Sequence, residues 1–265
     1  MAPTSRSSVW VAEEFDRRAA TYDESQAHVW QADVAARLLG PQPGQLILDV
    51  ATGTGLAARA VSHLAGPTAT VVGIDISEQM LRVGVRQSLG LACHYVRADA
   101  QQLPFSPASF DAVLCVAAIP YLPDLPLAVA DWRRVSRPSA ALVFTTPAQD
   151  GLTVNRLMRE AAAQHGYALP DPHATLGSES RIGTAVSPHG FTVTGVEKRT
   201  FVEPLDADPR AAFDTVIDYG FAEPLRSLSR DLRESIFLTY ATAHLAAHDA
   251  GEGGQAVLFT RCRAS

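Results

Sequence analysis

The chain has 265 residues, 47% hydrophobic and 19% charged, with a net charge of −6. This is ordinary globular composition, long enough for a sizeable core, and it excludes extended disorder. The acidic balance, with no long run of Lys or Arg, argues against a nucleic-acid partner, and no apolar run approaches the ~20 residues that span a bilayer.

The opening stretch "MAPTSRSSVWVAEEFDRR" turns acidic too early for a transit peptide and has no apolar core for a signal peptide. Cys93, Cys115 and Cys262 are odd in number and far apart, which fits reduced thiols and a cytoplasmic setting. Residues 10 to 40 read as helical, without Pro or Gly until "GPQPGQ" breaks the pattern. From there strands are expected at "LILDV" (46–50), "TVVGID" (70–75), "CHYVRAD" (93–99), "FDAVLCVA" (110–117) and "ALVFTTP" (141–147). Helices are expected between them at 55–65, 78–88 and 124–136. Such alternation predicts an α/β fold with a mostly parallel sheet and helices on both faces.

After residue 150 the pattern loosens. A helix ending at Gly166, a strand at 190–201, a helical segment over 205–252 and a closing strand at 255–264 are expected. A helical insertion before the last strand is expected to sit as a lid over the carboxyl ends of the sheet, where open α/β folds bind ligands.

The stretch "LILDVATGTGLAARA" (46–60) satisfies the G-x-G-x-x-G/A pattern with Gly53, Gly55 and Ala58. The glycines alone fit a phosphate-binding dinucleotide loop equally well. Three aspartates shift the balance. Asp49, Asp75 and Asp99 each fall at or near the end of a successive strand, recurring at 26 and then 24 residues. Any one of them could simply cap a helix. Three converging on one crevice would repel a pyrophosphate at short range. They suit a ligand with an ammonium, a sulfonium, ribose hydroxyls and an exocyclic amine, all of which S-adenosylmethionine has. The glycine turn would then let the backbone approach the methionine end closely. Asp75 suits ribose hydroxyls in either cofactor class.

With "FDRRAATYD" (15–23), "LILDVATGTG" (46–55), "VVGIDISEQML" (71–81) and "RADAQQLPFSPASFDAVLCVAAIPYLPD" (97–124), the chain resembles class I S-adenosylmethionine-dependent methyltransferases. The likeness is to the branch of the ubiquinone/menaquinone C-methyltransferases and natural-product small-molecule methyltransferases. Carried by the first half of the chain, it implies a Rossmann-like, mostly parallel seven-stranded sheet, and no motif transfers beyond residue 150; the pattern along the chain itself predicts an N-terminal helical cover (1–40), a cofactor domain (41–204 and 253–265) and a helical lid (205–252). The likeness implies that Asp49, Ala51, Gly53 and Gly55 surround the methionine moiety. Asp75 would bind the ribose, with Ile76 and Met80 near the adenine, the alternative for these two being plain core packing. Asp99 and Ala100 would read the adenine edge, backbone at Cys115 and Val116 would close the amino-acid end, and Tyr22 would cover the cofactor or face the substrate. Where many relatives carry an "HHL"-like segment this chain has "AIPYLPD" (118–124), which removes a histidine from the mouth of the site.

Methyl transfer is an in-line displacement that positioning and exclusion of water can drive, so no catalytic dyad is required and none is seen. Candidate bases are Tyr22, His28, His173 and His244, each open to the alternative of satisfied polar packing. Tyr121, Phe213, Tyr219, Phe237 and Tyr240 are read as walls of an apolar acceptor cavity, the alternative being helix packing. No metal site is expected, since neither Cys pairs nor tight His/Asp spacing occur.

The expected function is methyl transfer from S-adenosylmethionine to an O, N or C acceptor of a small apolar or aromatic metabolite, in secondary-metabolite tailoring. The alternatives are a quinone-biosynthesis C-methyltransferase, and a cofactor-retaining protein that promotes a cyclisation without methyl transfer. A nicotinamide oxidoreductase is disfavoured by the aspartates. The partner is a small molecule rather than nucleic acid or membrane, and the chain could be a monomer or a homodimer.

Overall fold

A computed structural model describes residues 8–171, 173–218 and 222–265. Among these, one compact unit is made of residues up to 146 with 179–197 and 258–265, and a second of 147–178 and 198–257. The helical segment 205–252 therefore belongs to a larger unit that also takes in the chain from 147 to 178.

The strands are β1 (Leu46–Val50), β2 (Thr70–Asp75), β3 (Cys93–Arg97), β4 (Phe110–Cys115), β5 (Ser136–Leu152), β6 (Phe191–Phe201) and β7 (Gln255–Ala264). They form one seven-stranded sheet in the order β3-β2-β1-β4-β5-β7-β6. β1 pairs with β2 and β4, β2 with β3, and β4 with β5, all in parallel. The central strands carry apolar residues on both faces because helices cover both: Ile47, Leu48, Val50, Ile74, Val113 and Leu114 are fully buried. From β1 the chain works outward through β2 to β3, then returns to the other side of β1 as β4. The crevice at this reversal, outside the carboxyl ends of the strands, is where open α/β sheets bind ligands.

The helices of the first unit that matter for this crevice are α1 (Ser8–Arg18), α2 (Gln26–Leu39), α3 (Leu56–Ala65), α4 (Glu78–Gln87) and α5 (Leu125–Val135). The expected continuous helix over 10–40 is in fact two. Ser25 caps α2 by accepting from the His28 N–H at 3.4 Å, and a 3-10 turn at Tyr22–Glu24 separates α2 from α1. The signal was the run "TYDES", rich in residues whose side chains compete for backbone N–H groups.

α5 secures the loop after β3. Trp132 is fully buried and its indole N–H donates to the Ala100 carbonyl at 2.9 Å. The Asp131 carboxylate accepts from the Leu103 N–H at 2.6 Å, and Arg134 donates to the carbonyls of Leu103 and Phe105. The Asp99–Ala100 segment is thereby tied to a helix packed under the sheet.

The second unit contains α6 (Thr153–Gln164), while α7 (Glu179–Val186) returns to the first and buries Ile182 and Val186. α7 was not expected. Its "ESRIGTAV" spans only two turns and carries Gly183, too little periodicity to register. α8 (Pro209–Asp218) and α9 (Arg230–Asp249) pack with α6 around a core of Leu157, Met158, Phe213, Val216, Ile236 and Tyr240. Among the described residues, no helix is long and apolar enough to cross a membrane.

Candidate functional site

At the carboxyl ends of the sheet of the first unit lies a pocket of about 660 Å³. Each strand around the reversal contributes to it: Ala51 and Gly53 after β1, Asp75 and Ile76 from β2, Ala98, Asp99 and Ala100 after β3, and Val116, Ala117 and Ala118 after β4.

The chain leaves β1 through two left-handed residues, Ala51 (φ +52°) and Gly53 (φ +57°). The Thr52 N–H between them donates to the Ile74 carbonyl at 2.8 Å, so the loop is pinned to the end of β2. Asp75 holds it from the side. One carboxylate oxygen accepts from the Gly53 N–H and the other from the Ser77 N–H, both at 2.8 Å. Burial pushes the Asp75 carboxyl above the usual range, partly offset by these bonds. Asp99 accepts from the Gln101 N–H at 2.9 Å and from the Ser8 hydroxyl at 3.3 Å, and it too lines the pocket.

The third carboxylate stands elsewhere. Asp49 is 1% exposed, accepts from the Thr52 hydroxyl and is not part of the pocket lining. Burial pushes its carboxyl up to about 7. The expectation that Asp49, Asp75 and Asp99 converge on one crevice thus holds in the lining for two of them. Asp49 is the penultimate residue of β1 and holds the Thr52 hydroxyl of the loop from beneath.

Gly55 and Cys115 also lie outside the lining. Cys115 is fully buried in β4, and burial raises its thiol well above the ordinary value. Gly55 packs against the Tyr95 ring on β3 rather than against open space. Ile76 and Met80 do line the pocket, Met80 from the buried face of α4.

The cover comes from the N-terminal segment. Ser8, Val11 and Phe15 line the pocket from one face of α1, at the i, i+3, i+7 spacing of a helical stripe. That spacing was readable in the sequence and was missed because the stripe is short and partly polar. α1 is held at its other end by Asp16, whose carboxylate accepts from the Ser77 hydroxyl and from the Gln79 N–H at 3.1 Å. Tyr22 follows from the 3-10 turn and lines the pocket beside Gly53. Its neighbour Asp23 pairs with Arg59 of α3 at 2.9 Å and accepts from the Thr54 hydroxyl, tying the cover to the glycine loop.

Aromatic rings close the remaining side. Phe15 meets Tyr121 edge-on at 5.0 Å and Tyr22 at 6.4 Å. Tyr22 stacks on His28 with centroids 4.4 Å apart and planes within 9°. Tyr121, Leu122 and Pro123 complete the wall after β4. His28 stands behind Tyr22 and is not part of the lining. Burial and Arg18 lower its imidazole to about 4, so it is neutral at pH 7. The phenol of Tyr22 is held above its usual value by burial and by Tyr121.

The other sequence candidates lie in the second unit. His244 is buried between Tyr240 and the chain at Asp206. Its Nε2–H must donate to the Asp206 carbonyl at 2.7 Å, so Nδ1 accepts from the Tyr240 hydroxyl at 3.0 Å. Both ring nitrogens are used structurally, and a role as base is set aside. Phe213 and Tyr240 are fully buried, and Phe213 meets Phe237 edge-on at 5.3 Å. Interhelical packing accounts for all three, correcting their reading as cavity walls. His173 sits in the loop after α6 with both ring nitrogens buried, which lowers its basicity. Tyr219 lies outside the described residues.

Among the described residues the lining holds two carboxylates and no Lys, Arg or His. No cluster of His, Cys, Asp or Glu there could hold a metal. An anionic phosphate would meet like charge in this pocket. A ligand offering hydroxyl and amine donors and a cationic group would meet acceptors.

Residues 48–144 match the family model of the methyltransferase domain. Over 149 residues, 56% of the chain, the sequence is 34% identical to a demethylmenaquinone methyltransferase of Staphylococcus aureus. The match covers 61% of that relative, so the chain spans less than two thirds of the length of the curated relatives it matches. Among solved structures, the (4+2)-cyclase SpnF superposes with a TM-score of 0.64 at 15% identity, over 99% of this chain and 97% of that one. Phosphoethanolamine N-methyltransferase 2 of Haemonchus contortus, in complex with phosphomonomethylethanolamine and S-adenosylhomocysteine, superposes at 0.57 and 19% identity, over 96% of this chain and 58% of that one. At these identities the structural likeness is one of fold.

Proposed function

We infer that this chain, whose residues 48–144 match the methyltransferase domain, is a class I S-adenosylmethionine-dependent methyltransferase that transfers the methyl group of that cofactor to a small, apolar or aromatic acceptor. The observation that carries the reading is a switch-point pocket lined by Asp75 and Asp99, with no basic residue among the described lining residues, beside a loop made left-handed at Ala51 and Gly53. The pocket fits the cofactor chemically: carboxylates accept from hydroxyls and amines, and the glycine leaves room for close backbone approach.

When bound, the cofactor supplies an electrophilic methyl on a sulfonium. The residues of this chain bind and orient. Asp75 keeps lone pairs for the ribose hydroxyls while its other contacts fix the Gly53 loop. Asp99 and Ala100 face the adenine edge, with Ile76 and Met80 packed beside it. Ala51, Gly53 and the backbone at Val116 border the methionine end. Asp49, Gly55 and Cys115 support these walls from behind. Phe15, Tyr22 and Tyr121 exclude water from the acceptor side, which favours an in-line displacement between neutral and cationic partners.

The aromatic rings of Phe15, Tyr22 and Tyr121 in the lining favour an apolar acceptor over a phosphorylated one. Secondary-metabolite tailoring in the cytoplasm is the preferred setting, and O, N and C acceptors all remain compatible with it. The likeness to a demethylmenaquinone methyltransferase supports a second reading, C-methylation of a quinol ring. The test is incubation with labelled S-adenosylmethionine and two acceptor panels, small phenols and amines in one and naphthoquinols in the other. Acceptor-dependent release of S-adenosylhomocysteine is expected from one panel, and which panel decides between the readings. Tight cofactor binding with no turnover on either panel points instead to a cofactor-retaining role without methyl transfer.

A further inference from the structure

We propose that Gln31 and Thr145 are positioning residues that hold Ala117 in its left-handed conformation and so shape the cofactor-side wall after β4. The proposal rests on the cofactor reading above and deepens it. Ala117 has φ +56°, a conformation that a residue with a Cβ keeps only when its surroundings compensate. It lines the pocket together with Val116 and Ala118. The turn it makes leads directly into the 3-10 turn Ile119–Tyr121, where the Tyr121 N–H donates to the Ala118 carbonyl at 2.9 Å. Both the wall and the aromatic cover therefore depend on this one backbone reversal.

The compensation comes from a directed polar chain. The Ala117 N–H donates to Thr145 Oγ1 at 2.8 Å, and the same hydroxyl donates to Gln31 Oε1 at 3.2 Å. An amide N–H can only donate, so the threonine must accept there, and its own proton is left for the glutamine. Thr145 is 0% exposed, from β5, and Gln31 is 4% exposed, from α2. If packing were all these positions needed, apolar residues would serve without the cost of burying polar atoms. Neither side chain reaches the pocket, so both act through Ala117. A second left-handed alanine, Ala51, follows β1, which pairs in parallel with β4, so the two turns stand at neighbouring strand ends. Ala51 is pinned through the next residue, whose N–H donates to Ile74. Both left-handed alanines line the pocket, Ala51 fixed through the backbone of the next residue and Ala117 through the Thr145 side chain.

The test uses S-adenosylhomocysteine binding by calorimetry on the full chain. Thr145→Val keeps the shape and removes both hydrogen bonds, and is expected to weaken binding about tenfold. Thr145→Ser is expected to stay within about threefold of the parent. In an Ala117→Gly background the left-handed turn no longer needs support, so adding Thr145→Val should cost threefold or less. Should Thr145→Val not fold, Gln31→Leu, which leaves the threonine in place, is expected to weaken binding by threefold or more. The proposal is overturned if Thr145→Val or Gln31→Leu folds and binds as the parent does, if Thr145→Ser is as weak as Thr145→Val, or if Ala117→Gly leaves the loss undiminished. A parent chain that does not bind S-adenosylhomocysteine at all overturns the cofactor reading itself, a distinct outcome.

Discussion

The hydroxyl of Tyr95 occupies the position that a side chain on Gly55 would need. A Cβ on Gly55 would lie 2.1 Å from Tyr95 Oη and 2.9 Å from Cζ, and one on Gly84 would lie 3.0 Å from Cε1 of the same ring. Tyr95 reaches from β3 to the start of α3 on one side and to α4 on the other, and its hydroxyl pairs with Ser88 Oγ at 2.7 Å. The second glycine of the motif is thus required by packing beneath the loop, whereas the first, Gly53, borders the pocket.

Gly55→Ala is therefore expected to lower the melting temperature by about 5 °C or more, since ~1–2 kcal/mol of left-handed strain at φ +81° adds to the overlap. In a double-mutant cycle with Tyr95→Ala the two losses should be clearly less than additive. Strict additivity, measured by thermal unfolding, would show that the ring is not what excludes the side chain.

Asp75→Asn keeps the shape of the side chain but has only one accepting oxygen for the two N–H groups of Gly53 and Ser77. Affinity for S-adenosylhomocysteine is expected to fall more than tenfold, with a loss of a few degrees in melting temperature. Calorimetry showing unchanged affinity would remove Asp75 from the ribose assignment.

Asp49 titrates at about 7 in the folded chain because burial disfavours its charge. A carboxyl raised in the folded state stabilises the fold most below its unfolded value, and that stability is lost as pH rises through the folded value. The cofactor-free protein is thus expected to melt at a lower temperature at pH 8 than at pH 6, and Asp49→Asn should flatten the difference. Scanning calorimetry of both proteins across this range checks it; an equal slope in the variant assigns the effect elsewhere.

His28 is lowered to about 4 and stacks on Tyr22, so the ring rather than the proton is what it offers near neutrality. His28→Phe should keep S-adenosylhomocysteine affinity within about threefold, while His28→Ala, which frees Tyr22, should lose more than that. If His28→Phe binds normally yet abolishes turnover, the imidazole acts as a proton acceptor.

The strands of the sheet and the cofactor-side loop are legible in the residues alone. β1, the glycine turn and α3 are contiguous, and the apolar runs and capping residues that specify them act over a few residues. Asp75 and Asp99 were legible for the same reason: Asp75 closes β2 and Asp99 follows β3 by two residues, and the carboxyl ends of parallel strands form the ligand-binding edge wherever the rest of the chain goes.

Which of these residues face the pocket and which stand behind it is set by packing between distant parts of the chain. Asp49 and Gly55 belong to the same motif as Gly53, yet one is sealed beneath the loop and the other lies against Tyr95 from a different strand. Phe213 and Tyr240 carried the aromatic signal of a cavity but fill an interhelical core, while Ser8, Val11 and Phe15 supply the cover without a strong local pattern. Periodicity tells which face of an element is apolar. What covers that face is set by residues tens of positions away, through close packing that no local window contains.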